Sequence, residues 1–146
     1  MLFRSTWWSK VGSQAIDRTG LIVEKNFQRY RHYLAPIVVV VDESTTQDEK
    51  SLIHYISEKT GARVIFTTDI NDVTEPFSRV RWLASKKPPT NELLQRGISV
   101  DHRPVAQRGD IETPRWLLEQ SVAITYHRYG NPNGGPKPHC SGLSAS

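Results

Sequence analysis

Residues 37–61 read IVVVVDESTTQDEKSLIHYISEKTG, and this stretch decides the fold. Ile37-Val38-Val39-Val40-Val41 is an unbroken β-branched run. It is too uniformly apolar for a sheet with one wet face, so it predicts a strand covered on both sides. Asp42 to Gln47 is polar and offers several helix N-caps. Leu52, Ile53 and Ile56 then mark the apolar face of a helix, and Gly61 stops it. A buried strand running straight into an amphipathic helix is the first half of a βαβ unit.

Downstream the alternation continues. Val64-Ile65-Phe66 predicts a second strand, and Thr67 to Ser78, with Asn71-Asp72 and Pro76, a loop or broken short helix. Arg79 to Leu83 predicts a third strand. Pro88-Pro89 breaks the chain, Thr90 is placed to cap a helix carrying Leu93 and Leu94, and Gly97 closes it. Ile98-Ser99-Val100 is a short fourth strand. Strands and helices in this order give an α/β fold: a small Rossmann-like layer with a mostly parallel sheet and helices on its faces.

Beyond it, Thr113 is an N-cap candidate and Pro114 suits the first helical position, with Trp116, Leu117 and Gln120 on one face. Ser121 to Tyr129 then switches to β-branched and aromatic residues, a final strand with no helix after it to cover it. It is expected to leave the body as a β-flap. The Pro/Gly/Ser-rich residues 132–146 read as a flexible tail. Upstream, residues 1–36 hold adjacent Trp7 and Trp8, no sustained period, and the aromatic and basic run NFQRYRHYLAP at 26–36. The expected division is an irregular junction over 1–36, a Rossmann-like body over 37–120, a flap or lid over 121–131 and the tail.

Composition fits a single soluble domain: 146 residues, 37% apolar and 23% charged. No apolar run approaches the roughly 18 residues that cross a bilayer, and the N-terminal residues lack a secretory apolar core. With a lone Cys140 there is no disulfide framework, and a cytoplasmic location is expected. Net charge is +4 with pI ≈ 9.4. The basic residues Arg29, Arg31, Lys86, Lys87, Arg103 and Arg108 are scattered through different elements, which favours a solvated surface or protein interface over a nucleic-acid stripe.

Catalytic signatures are missing. A dinucleotide site needs a glycine-rich turn after the first strand, whereas this chain has DESTTQDE there, acidic and without glycine. Asp42 is the one candidate at that strand end for a ribose contact or catalysis; a loop or capping acid is the plainer reading. Cys140 lies between His139 and Ser141 in the tail, without the rigid pocket that a thiolate nucleophile requires. His32, His54, His102, His127 and His139 show no metal-ligand spacing. Gly130, Gly134 and Gly135 around Asn131-Pro132-Asn133 spell a turn, and Ser121 has no Gly-x-Ser-x-Gly setting. Trp82 and Trp116 are expected to pack in a core or interface. Val122-Ala123-Ile124-Thr125-Tyr126 is a candidate edge strand, able to recruit a further strand.

Arg115-Trp116-Leu117-Leu118-Glu119-Gln120-Ser121-Val122 and His127-Arg128-Tyr129-Gly130-Asn131 resemble the C-terminal region of bacterial proline utilization A and related L-glutamate γ-semialdehyde (1-pyrroline-5-carboxylate) dehydrogenases. Asn26-Phe27, Arg29-Tyr30-Arg31 and Asp101, Arg103-Pro104-Val105 echo the same region more weakly. The resemblance implies a vestigial aldehyde-dehydrogenase-like domain: a Rossmann-like body plus a β-flap that packs on the catalytic aldehyde dehydrogenase domain and helps seal the cavity through which the intermediate passes. It implies no catalytic, cofactor or metal residue here, since NAD and FAD would belong to the catalytic domains. Carried over, Arg115 to Val122 form the last helix and its exit. The interface or lid residues are then Trp116, Ser121, Val122, Ala123, Ile124, Thr125, Tyr126, His127, Arg128 and Tyr129. Expected partners are the catalytic dehydrogenase domain or a second copy of the chain. Two readings compete: a small nucleotide- or nucleoside-handling α/β enzyme using Asp42, and a basic nucleic-acid-binding domain built on Arg29, Arg31 and the lysines.

Overall fold

The computed structural model describes residues 6–20 and 24–125. Ile37–Val40 forms β3, the second strand of a four-stranded parallel sheet in the order β4 (Val64–Thr67), β3, β5 (Arg79–Trp82), β6 (Ser99–Asp101). Its interior place explains the unbroken valines, because both faces are covered and Val38 and Val39 are 0% exposed. On one face Ile37, Val39 and Val41 pack against Leu52, Ile53, Ile56 and Trp116. On the other, Val38 and Val40 meet Ile70, Val80, Trp82, Leu93 and Ile98. The mixed α/β architecture with a parallel sheet is as the alternation predicted.

Helix α1 (Gln47–Thr60) lies on the first face. Thr46 closes a reciprocal capping box: its Oγ1 accepts the Glu49 amide at 3.2 Å, while Glu49 Oε2 accepts the Thr46 amide at 2.8 Å. Gly61 ends the helix at φ +76°, a conformation that suits glycine. Helix α2 (Thr90–Gln95) lies on the second face. Here two details differ from the sequence reading. Thr90 is the first helical residue rather than its cap, since Pro89 occupies the cap position. Leu94 points outward at 67% exposure, because a helix this short buries one side chain, Leu93.

The largest differences lie at the two ends. The expected helix beginning at Thr113 is replaced by a four-residue helix, α3 (Gly109–Glu112), and a 3-10 turn over Thr113–Trp116 with Pro114 near its start. Strand β7 then begins at Leu117 and runs to Thr125, so Leu117 and Gln120 belong to a strand and not to a helix face. The junction, read as irregular, contains β2 (Glu24–His32), which pairs antiparallel with all of β7 from His32↔Leu117 to Glu24↔Thr125. Two-residue β1 (Ile16–Asp17) adds to the far side of β2, giving a second, three-stranded sheet in the order β1-β2-β7. No helix among the described residues is long and apolar enough to cross a membrane. Tyr126, His127, Arg128 and Tyr129 of the expected flap, and the tail with His139 and Cys140, lie outside the described residues.

Candidate interaction surface

The β2–β7 ribbon is the feature with the least internal explanation. Antiparallel pairing sends alternate residues to opposite faces, with directly opposed partners sharing a face. One face therefore carries Lys25, Phe27, Arg29 and Arg31 from β2, with Ile124, Val122, Gln120 and Leu118 opposite them on β7. The other carries Asn26, Gln28, Tyr30 and His32 opposite Ala123, Ser121, Glu119 and Leu117. Phe27, Val122 and Ile124 belong to neither core cluster, and Leu118 is 46% exposed. Ser121, Ala123 and Thr125 are exposed on the opposite face. Among the described residues no strand covers the outer edge of β7.

Side-chain pairs hold the two strands in register. Arg29 Nε donates to Gln120 Oε1 at 2.7 Å, and Gln28 donates to Glu119 on the other face. Trp7 packs edge-on against Tyr30 with ring centroids 5.1 Å apart, and a π-helical turn over Trp8–Gly12 follows it. Trp7 thus braces the second face of the ribbon, a role with no motif to announce it.

Both strands are rooted in the body by buried groups. Trp116, 1% exposed, sits in the first core cluster, so it anchors β7 from within. Its indole donates to Glu112 Oε1 at 3.0 Å. Glu112 is itself wholly buried and collects three more donors: Arg81 Nη2 at 3.0 Å, the Ala106 amide at 2.7 Å and Arg115 Nη1 at 3.0 Å. Arg81, in the middle of β5, also reaches Asp101 Oδ1 at 3.1 Å and the Arg103 carbonyl at 2.6 Å, while its Nε has no acceptor among the described residues. Burial pushes Asp101 upward, but hydrogen bonds from Arg103 and the Arg81 charge outweigh it and hold the carboxyl at about 2. At the end of β2, Tyr33 packs against the first core cluster beneath the Arg79 guanidinium, 4.8 Å from its ring centre.

Ligands of open α/β sheets bind outside the carboxyl ends of the strands. A cleft of about 470 Å³ lies there, lined by Val40, Asp42, Asp69, Trp82, Lys86 and Lys87 among others. Its chemistry is turned inward. Asp42 accepts from Ser44 N and Oγ and from Ser85 N and Oγ, tying the loops after β3 and β5 together. Those hydroxyls and amides, Ser44's first, keep its carboxyl well below the usual range. The amides of Asp42, Ser44, Thr45, Thr46 and Glu49 all donate within the same loop and capping box. Glu43, Asp48 and Glu49 place negative charge around the start of α1, which disfavours a pyrophosphate there. His54 stacks on Phe66 at 4.7 Å, and no group of three metal-ligating side chains occurs among the described residues.

A parallel sheet carrying a root-anchored antiparallel ribbon can be compared with solved structures. The chain is similar to part of a proline utilization A (PutA) protein. That structure, from Corynebacterium freiburgense, aligns with 83% of this chain at a TM-score of 0.63 and 27% identity. The alignment spans only 12% of the PutA chain, so the likeness is to one segment of a much longer protein. No protein-family profile and no curated protein matches the sequence.

Proposed function

We propose that this chain is a non-catalytic interaction module of proline-catabolic dehydrogenases, working in the cytoplasm. On this reading the β2–β7 ribbon packs on a catalytic aldehyde dehydrogenase domain and helps seal the cavity that carries the intermediate between proline and glutamate. NAD and FAD belong to the catalytic portion. The observation that carries the reading is the ribbon itself: apolar side chains outside both cores, an open edge at β7 and a rigid root, in a chain that aligns with a PutA segment. A ribbon needed only for its own fold would bury Phe27, Val122 and Ile124 fully, and each is only half-buried.

The test mixes the purified chain with a PutA polypeptide lacking the matching segment, followed by sizing chromatography with light scattering. A complex is expected. Successive amides of a strand point to opposite edges, so proline at Ala123 and at Ile124 separates the inward ladder donor from the outward one. The substitution that removes the outward amide should weaken the complex while leaving the body folded. A chain that stays monomeric and ignores the polypeptide, with the outward amides of Ser121–Thr125 as protected from hydrogen exchange as the inward ones, would overturn the assignment.

A further inference from the structure

Basic residues of β2 gather on one face of the ribbon, although Arg18 beside β1 acts on Tyr30 of the opposite face. Lys25, Arg29 and Arg31 alternate with Phe27 along one side of β2, and across from them β7 presents Leu118, Gln120, Val122 and Ile124. Glu119 lies on the opposite face, engaged by Gln28. Among the described residues, the acid on the cationic face is Asp17, opposite Phe27. Its carboxylate is already held by the Thr19 and Gly20 amides and lies 3.4 Å from Lys25 Nζ. Arg29 is tied through Nε to Gln120. Arg31 is exposed and its side chain makes no hydrogen bond or ion pair among the described residues.

Resting on the reading of the ribbon as a docking element, we infer that the surface it meets on the catalytic polypeptide is apolar and acidic, with carboxylates opposite Arg31 and Arg29, since Lys25 already faces Asp17. Aliphatic residues at Leu118, Val122 and Ile124 need a dry partner, and cations beside them need anions to remain favourable once water leaves. A second copy docked face to face would set cation against cation. A nucleic acid would neutralise the arginines but leave the aliphatic row against phosphates and water. An acidic, apolar protein surface satisfies both halves of the pattern. The expected energetic signature is steering: rim charges act mainly on association rate and salt dependence.

The experiment measures binding of the full chain to the PutA polypeptide lacking the matching segment, by calorimetry at low and high salt. Arg31→Glu is compared with an Arg29→Gln/Arg31→Gln double variant and with Arg96→Glu. The last makes the same change in net charge at the end of α2, away from the ribbon. Circular dichroism checks that each variant folds. Expected are about a tenfold loss of affinity for the ribbon variants, a shallower salt dependence, and no change for Arg96→Glu. If the wild type binds and the ribbon variants bind equally well, the charge assignment is overturned and the module reading stands. If the wild type does not bind, both fall. Tighter binding to a duplex oligonucleotide than to the polypeptide, lost in the same variants, would overturn the inference in favour of nucleic acid.

Discussion

Glu112 is the residue on which the root of the ribbon depends. A buried carboxylate with four donors draws Arg81 from the sheet, Ala106 and Arg115 from the connecting chain and Trp116 from the foot of β7 to one point. Swapping such a cluster for apolar residues of similar volume is often harmless, but removing one partner strands a buried charge. Glu112→Ala is therefore expected to cost about 3–5 kcal/mol in chemical denaturation, with Glu112→Gln falling between it and wild type. A loss below about 1 kcal/mol would mean that Arg81 finds water or another acceptor. Nothing in the sequence marks Arg81 or Glu112. Each looks like an ordinary surface charge in its own segment, and their pairing exists only once β5 and α3 are brought together.

At the scale of elements, β3 and β7 make opposite uses of apolar residues. Val39 lies in an interior strand within the first core cluster, so Val39→Asp should cost several kcal/mol by burying an unpaired charge. Val122 belongs to neither core, and Val122→Asp should cost under about 1 kcal/mol in the isolated chain while damaging partner binding. Equilibrium denaturation of the two variants checks the contrast; equal costs would place Val122 in the core. The same difference explains what could be read in advance. Five consecutive β-branched residues and a capped amphipathic helix specify β3 and α1 locally. Strand β2 does not, because Phe27 and Tyr30 break the two-residue period and its partner lies across the whole body. Trp116, Leu117 and Gln120 have helical spacing, yet tertiary pairing with β2 overrides it from Leu117 onward. The edge-strand character of Ser121–Thr125 was legible from composition, while the cationic half of the same surface is seen only when β2 is laid beside it.

For the whole molecule, the prediction is that the chain alone does not oxidise glutamate semialdehyde. The turn after β3 is occupied by its own hydrogen bonds, and Asp42 spends its oxygens on Ser44 and Ser85. The purified chain with glutamate semialdehyde and NAD should give no NADH above background, and turnover abolished by Cys140→Ser would refute this. The register of the ribbon also has a temporal meaning. Strand β2 leaves the ribosome before the body, and β7 only after it, so β2 waits unpaired while the body is made. Closing so long a loop is slow for a disordered chain. Here the folded body does the closing, because Tyr33 and Trp116 meet at the same core cluster and bring His32 beside Leu117. Zippering then proceeds outward from that pair toward Glu24 and Thr125, making the tip the last part of the ribbon to form and the first to fray.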